Sequence, residues 1–478
     1  MIKFAWIVYG KMLSEQLSIM NLSSILKSKG IDTVLIYSNK KRDILNKVKA
    51  VKPDIIAYSL MYGSHWKYVD ISKEIREKYP HIYQVAGGPY TTFYPQSIDE
   101  LSLDAIAIGE ADISLVNFIE GFQGGSPSIE HARGFHFRMN GGIKRGELQN
   151  LQDELDELPF PDRKIFYDQD PFLKNQEFKC FLSGRGCPFP CTYCFNHKFN
   201  DMYKGKGKIM RKKSVDYFVE EIKETKESYG LQFAIFEDDI FVMKKDWLEE
   251  FARKFKQKIG IPYICYVRAD IVDEDRLKLL KESGCHIVRM AIETGNEVLR
   301  NTILKRNMKD ATIIAASDLI HKYGMKLSVS NMIGLPTETL DALEDTLSLN
   351  IRCRPDHPTA QFFMPYPDME LSKIAVKTGH FTEERLKEIP KNTWRYTPLL
   401  FDKKTKRVME KTQKIFSLVV RYPHIKKYTK LFFLLPDQLL YLISIVTKIA
   451  IVVNYFPPTK VTFMQKLRGL RRFFSFYG

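Results

Sequence analysis

The stretch that decides the fold reads Lys179-Cys-Phe-Leu-Ser183-Gly-Arg-Gly186-Cys187-Pro-Phe-Pro-Cys191-Thr-Tyr193-Cys194-Phe-Asn196. Lys179–Ser183 is a short apolar run of strand length, and three cysteines in C-x3-C-x2-C spacing follow at once. Three thiolates on one short loop can hold three irons of a [4Fe–4S] cube and leave the fourth iron open. An open iron implies a bound substrate. Structural zinc would want a fourth ligand from a second short-spaced pair, and the chain has no other C-x2-C or H-x3-H; His197 is the residue that could complete such a site.

Downstream, apolar runs recur between helical patterns at Gln232–Phe236, Tyr263–Val267, His286–Ala291, Lys326–Met332 and Thr359–Met364. With the first run they make six βα units. That count predicts an open, partial (βα)6 version of the TIM-type parallel barrel, whose active site gathers at the carboxyl ends of its strands. Upstream, Ile2–Tyr9, Ile31–Tyr37, Asp54–Leu60, Ile82–Ala86 and Asp104–Ile108 alternate with helical stretches. Such βαβα order predicts a doubly wound, Rossmann-like (flavodoxin-like) sheet with helices on both faces. Its strand-end loops include Tyr58-Ser-Leu-Met-Tyr62-Gly-Ser-His65, Gly87-Gly88-Pro89-Tyr-Thr-Thr-Phe93 and Gly109-Glu110-Ala-Asp112, small residues and hydroxyls that let backbone amides approach a large polar ligand. The punctuated, polar run from Phe122 to Glu177 puts a boundary near residue 170. The expected organisation is a first domain over 1–125, a linker over 126–170, the barrel over 171–385 and a helical carboxyl-terminal region over 386–478.

The chain has 478 residues, 44% hydrophobic and 27% charged, which excludes global disorder and a single small module. Seven cysteines are too few for a secreted disulfide scaffold, and Met1–Tyr9, with no small-residue cleavage site after it, is expected to be a strand. The net charge of +16 sits at one end: Phe401–Gly478 carries 16 Lys plus Arg against three acids, leaving 57 against 54 before it. Basic and apolar residues coincide there. Leu439–Phe456 is 18 residues, about 27 Å as a helix and marginal for a hydrocarbon core of about 30 Å. Ser444, Thr447, Lys448 and Asn454 fall near one side of the helical wheel, and Arg471 and Arg472 follow. The remaining apolar face suits either a membrane interface beside anionic headgroups or packing on other domains or a second subunit. No nucleic-acid partner is expected.

The cysteine motif, with an aromatic before its last cysteine, resembles that of the radical S-adenosylmethionine (SAM) enzymes. The resemblance implies that Cys187, Cys191 and Cys194 ligate the cluster and that its open iron chelates SAM, which an electron cleaves to methionine and a 5′-deoxyadenosyl radical. Further matches follow in order. Phe236-Glu-Asp238-Asp239-Ile-Phe241 stands where the family meets the SAM amino group, Arg268 ends the third strand, and Glu293 is placed to meet the ribose hydroxyls. Arg306 resembles the arginine on the SAM carboxylate, and the segment containing Ile333 and Gly334 resembles the one along the adenine.

The first domain resembles that of the cobalamin-dependent members, which implies cobalamin contacts from Tyr62, Gly87, Gly88, Pro89, Gly109 and Glu110. No D-x-H-x-x-G marks a lower cobalt ligand, and His65 is the nearby candidate. With no cysteine in residues 1–179, one cluster is expected, and Cys180, Cys265, Cys285 and Cys353 read as core residues. The resemblance implies methyl transfer from methylcobalamin to an unactivated carbon or a phosphinate phosphorus of a small or lipid-like biosynthetic intermediate. Radical cyclisation, ring contraction or oxidation with the same cofactors is the alternative. An external donor of flavodoxin or ferredoxin type would supply electrons, in the cytoplasm or at the inner membrane surface.

Overall fold

Alternation of apolar side chains along five short strands builds the first sheet. In the computed structural model, which describes residues 2–123, 126–127, 132–139, 142–387 and 396–455, these are β1 (Phe4–Tyr9), β2 (Thr33–Ser38), β3 (Ile55–Ser59), β4 (Tyr83–Gly87) and β5 (Ala105–Ala107). All are parallel, in the order 2-1-3-4-5. Phe4, Trp6 and Val8 pack on one face with Ile19 and Met20 of the helix Leu17–Ser28 and with Phe118 of Ser114–Glu120. Ala5 and Ile7 pack on the other with Ile44 of Lys41–Val51 and Ile71 of Trp66–Lys78. The strand order reverses between β1 and β3, so connections depart to opposite faces and open a crevice beyond the carboxyl ends.

Part of the stretch read as linker belongs to this sheet. β6 (Phe135–Met139) runs antiparallel on β5, and β7 (Gly142–Arg145) pairs with β6. Phe135 and Phe137 alternate inward, and Phe135 stacks on Phe118 at 4.6 Å. Glycine and polar residues on either side of this five-residue run hide its period of two.

The second sheet has six parallel strands in chain order: β8 (Phe178–Phe181), β9 (Phe233–Phe236), β10 (Tyr263–Val267), β11 (Cys285–Glu293), β12 (Lys326–Ile333) and β13 (His357–Phe362). These are the six expected strands. The sheet does not close, so β8 and β13 each have a free side whose backbone groups need partners. At β8, the Cys180 N–H donates to Glu15 Oε2 at 2.8 Å and the Cys180 carbonyl accepts from Arg163 Nη2 at 2.7 Å. Glu15, from the loop between β1 and the first helix, and Arg163 form an ion pair at 2.8 Å with both side chains 3% exposed. At β13, the helix Lys403–Arg421 lies along the strand, with Gln413 Nε2 donating to the Ala360 carbonyl at 3.1 Å and Ser417 Oγ to the Pro358 carbonyl at 2.7 Å. Phe416 and Val419 of that helix pack with Ala360 and Phe362. The carboxyl-terminal region is therefore helical, as expected, and serves the half barrel as an edge cover. A last helix, Asp437–Tyr455, packs beside it; residues 456–478, with Arg471 and Arg472, lie outside the described residues.

Removing one partner of a buried ion pair strands the other charge, at a cost of about 3 kcal/mol or more. Arg163→Met is expected to lower stability by about that amount, seen as an earlier urea midpoint, whereas an exposed change such as Lys223→Met leaves the midpoint in place.

Candidate active site

The cysteine loop leaves the carboxyl end of β8 through a short antiparallel pair, Gly184–Arg185 with Arg211–Lys212. Gly186 sits at φ +94°, and a Cβ there would lie 2.0 Å from the Ile209 carbonyl oxygen, so only glycine fits. Cys191 is buried, Cys187 and Cys194 are half-buried, and none is in a disulfide. Burial pushes the Cys194 thiol up to about 12 and raises that of Cys187. Among the described residues no three His, Cys, Asp or Glu side chains converge as on a single ion. His197 instead faces Glu370, 3.4 Å away. Three thiols on one loop fit a cube whose irons each take one thiolate.

Arg268, just beyond β10, donates Nη1 to Cys191 Sγ at 3.6 Å and lies over the Phe189 ring. It is held by Asp270 and by the Arg306 carbonyl, which accepts from Nη2 at 3.0 Å. Arg306 in turn meets the Tyr193 hydroxyl and donates to the Ala291 carbonyl at 2.7 Å. Tyr193 donates to Glu293 Oε1 at 3.0 Å. Glu293 adopts φ +70° at an irregularity in the β11–β12 register, which turns its carboxylate toward Tyr193 and Arg306. Burial raises the Glu293 carboxyl while Arg306 opposes the rise. Arg306 Nε is buried without a partner, an unmet cationic donor beside the thiol loop that fits a carboxylate such as SAM carries.

The two neighbouring aspartates part company. Asp239 accepts from Asn196 and from the Gly186 N–H, and burial pushes its carboxyl up. Asp238 points away: it takes Ser183 Oγ at 2.5 Å, the Ser183 N–H at 3.1 Å and Lys212 Nζ at 3.1 Å, tying β8 to β9. Ile333 is fully buried among Leu343, Leu347 and Phe362. The Gly334 and Leu335 N–H groups donate to Glu338 Oε2 at 2.5 and 3.1 Å. Burial pushes the Glu338 carboxyl up to about 7, and its Oε1 has no partner.

At the first sheet's crevice, Gly87 ends β4, Gly88 follows at φ +101°, and Pro89 opens the short helix Pro89–Phe93. A Cβ on Gly88 would lie 2.6 Å from the Leu60 carbonyl oxygen, so the loops after β3 and β4 touch through backbone. Tyr62 packs on Tyr90 at 5.1 Å and reaches Tyr366, beyond β13, at 4.6 Å. His65 stacks on Tyr90 at 4.0 Å, and burial pulls its imidazole down to about 4, leaving it neutral at neutral pH. Tyr62 OH and His65 Nδ1 are both buried and unpartnered. A backbone cradle with unmet polar atoms fits a large polar ligand such as cobalamin.

Glu110 does something the residue pattern does not announce. Its carboxylate takes Arg211 at 2.6 and 2.7 Å and Arg185 at 3.0 Å, while Asp112 takes Arg185 at 2.6 and 3.1 Å. The Glu110 N–H donates to the Tyr203 hydroxyl at 3.0 Å, and a Cβ on Gly109 would collide with that hydroxyl. Arg185 and Arg211 were not among the expected site residues. Their signal is an arginine two residues before Cys187 facing a Glu-x-Asp at a strand end, visible only once the two loops are known to meet.

Burial alone would raise the Asp112 carboxyl, but Arg185 overrides it and holds it below its ordinary value. A depressed carboxyl adds stability above its unfolded pKa of about 3.9, and the gain disappears as pH falls through the folded value. Asp112→Asn is therefore expected to destabilise at pH 7, with the gap from wild type narrowing below about pH 4 in parallel thermal melts.

The Radical SAM superfamily model matches residues 181–349 and the B12 binding domain model matches residues 11–119. The chain is 25% identical over 375 residues to an uncharacterized methyltransferase of Pyrococcus horikoshii, covering 73% of this chain and 79% of that one. It is 23% identical over 341 residues to cytidylyl-2-hydroxyethylphosphonate methyltransferase of Streptomyces wedmorensis, covering 64% and 62%. It is 25% identical over 389 residues to an anaerobic magnesium-protoporphyrin IX monomethyl ester cyclase of Rubrivivax gelatinosus, covering 77% and 65%. Its fold is shared with the cobalamin-dependent SAM radical enzyme OxsB, at TM-score 0.70, 17% identity and coverage of 91% and 72%. It is shared too with the methyltransferase TsrM of Kitasatospora setae, at TM-score 0.66, 14% identity and coverage of 80% and 79%.

Proposed function

The chain belongs to the cobalamin-dependent radical SAM enzymes, and from that premise we propose that it is a methyltransferase acting on an unactivated carbon, or a phosphinate phosphorus, of a small or lipid-like biosynthetic intermediate. The observation that carries this reading is the lock between the two crevice mouths: Glu110 and Asp112, just beyond β5, grip Arg185, two residues before Cys187. A group carried on the first sheet's side then faces an acceptor held at the barrel mouth. When bound, the cluster and SAM supply a 5′-deoxyadenosyl radical and cobalamin carries the methyl group.

The chain's own residues hold and orient. Cys187, Cys191 and Cys194 take the cluster, and Arg268 sets a positive charge against Cys191. Arg306, with its free Nε, takes the SAM carboxylate. Glu293, oriented by Tyr193, accepts from the ribose hydroxyls, and Asp239, facing the cysteine loop, meets the amino group. The Ile333–Gly334 turn, held by Glu338, lies along the adenine. Tyr62, Gly87, Gly88, Pro89 and Gly109 line the cobalamin side, while Glu110 acts through the lock. Tyr62, Tyr90 and Tyr366 form an aromatic wall that keeps water from a radical. Electrons come from a small flavodoxin- or ferredoxin-type donor.

A second reading, cyclisation or oxidation with the same cofactors, is favoured by the similarity to the Rubrivivax cyclase. Anaerobic incubation of cluster-loaded protein with reductant and SAM, with and without cobalamin, separates the two. The expected products are 5′-deoxyadenosine and S-adenosylhomocysteine, the second only with cobalamin, and neither from Cys191→Ala. 5′-Deoxyadenosine alone moves the assignment to the second reading, and neither product despite an intact cluster overturns both. Removing a charge-assisted contact makes Arg306→Met bind SAM about tenfold or more weakly in equilibrium dialysis.

A further inference from the structure

The last helix of the described chain buries hydroxyls beside its inward apolar residues and leaves leucines and valines exposed. Along Asp437–Tyr455, Leu440, Ser444, Thr447 and Ile451 fall at intervals of four, three and four residues and are buried. Two polar hydroxyls thus occupy the protein-facing stripe, and Lys448 beside them lies near His357 of β13. The outward stripe is apolar: Leu439, Leu442 and Val446, spaced by three and four, are 43%, 55% and 58% exposed. A helix at a water-facing surface normally shows the reverse. The patch continues into the preceding turn, where Leu431 and Leu434 are 61% and 79% exposed. Of the fifteen large apolar side chains exposed among the described residues, eight lie between Tyr422 and Val452. Concentration of this kind marks a surface that something covers.

Charge identifies the occupant. Lys427 and Lys430 are exposed beside Tyr422 and Tyr428, on the same turn as Leu431 and Leu434. Phe401–Gly478 as a whole carries 16 cations against Asp402, Glu410 and Asp437. A second copy of this chain would set that positive region against its own like, whereas an anionic surface complements it. Leucines and valines flanked by tyrosines and lysines are the composition of a helix lying in a bilayer interface, the rings and amines at headgroup level. No described helix is long and apolar enough to cross a membrane. We propose that the outward face of Asp437–Tyr455, together with the Tyr422–Leu434 turn, docks the enzyme flat on a bilayer of anionic phospholipid. Because the helix Lys403–Arg421 lies along β13 and packs beside Asp437–Tyr455, docking sets the β13 side of the half barrel toward the lipid, where the lipid-like substrate of the proposed function would be met.

The full-length protein is to be sedimented with vesicles of phosphatidylglycerol and phosphatidylcholine in equal parts, and with phosphatidylcholine alone, at low and high salt. Expected is pelleting with the anionic vesicles, falling steeply with salt and with the neutral vesicles. Lys427→Gln with Lys430→Gln weakens the partition about thirty-fold. Leu442→Glu with Val446→Glu, changing only exposed side chains, abolishes it while circular dichroism and cluster absorbance stay as in wild type. Absence of pelleting overturns the proposal. If sedimentation equilibrium then finds a dimer that the double Glu variant breaks, the face is a self-interface. If it finds a monomer, the face is covered by the chain's own residues 456–478. Failure of lipid binding leaves the SAM-cleavage assay untouched, so the two readings fail separately.

Discussion

Four charges between two loops hold this molecule in its working arrangement. Glu110 and Asp112 extend from the end of the first sheet; Arg185 and Arg211 stand on the short antiparallel pair that brackets the cysteine loop. All are mostly withdrawn from water, where unpaired charges are costly, so the four satisfy one another or the loops part. Bidentate geometry between planar guanidinium and carboxylate groups fixes orientation as well as distance. Gly109 comes against Tyr203, Tyr62 comes against Tyr366, and the crevice of one sheet opens onto the mouth of the other.

A half barrel has a second problem, which is that it has two ends. Six strands without closure leave unpaired backbone on both sides, and this chain covers each with a different device. Glu15 and Arg163 meet the amide and carbonyl of Cys180 at one edge. The long helix after the barrel meets the carbonyls of Pro358 and Ala360 at the other. The flanking regions are thus the missing walls of the barrel. On the last helix, Asp437–Tyr455, Ser444 and Thr447 are turned inward beside Leu440 and Ile451, while Leu439, Leu442 and Val446 are left outward.

Both sheets were legible because each strand is a separate apolar run, and the cysteines because their spacing has few other uses. What stayed hidden has physical causes. The partners of Glu110 lie 75 and 101 residues away, a pairing no local period encodes. Asp238 and Asp239 looked equivalent, yet alternation past the end of β9 sends one to Lys212 and the other to the cysteine loop. Ile333 is a core residue, packed among Leu343, Leu347 and Phe362, which its place at a strand end conceals. Phe135 and Phe137 form a strand too short to rise above the glycines near it. For the last helix the polar stripe was visible, but its direction is a property of the surface it packs on.

The Glu15 contact also orders events during synthesis. Glu15 emerges 148 residues ahead of Arg163 and 165 ahead of Cys180. At ribosomal rates of about 5–20 residues per second, that interval is on the order of 10 s. During it the first sheet can form, but its β1 loop carries an unpaired carboxylate and its crevice has no opposite wall. The edge of the half barrel's first strand therefore meets Glu15 and Arg163 beside a sheet whose residues have all been made before the other five strands emerge. A nascent chain of this design matures by accretion from one end, and a lesion in the amino-terminal sheet is transmitted to a barrel whose own sequence is intact.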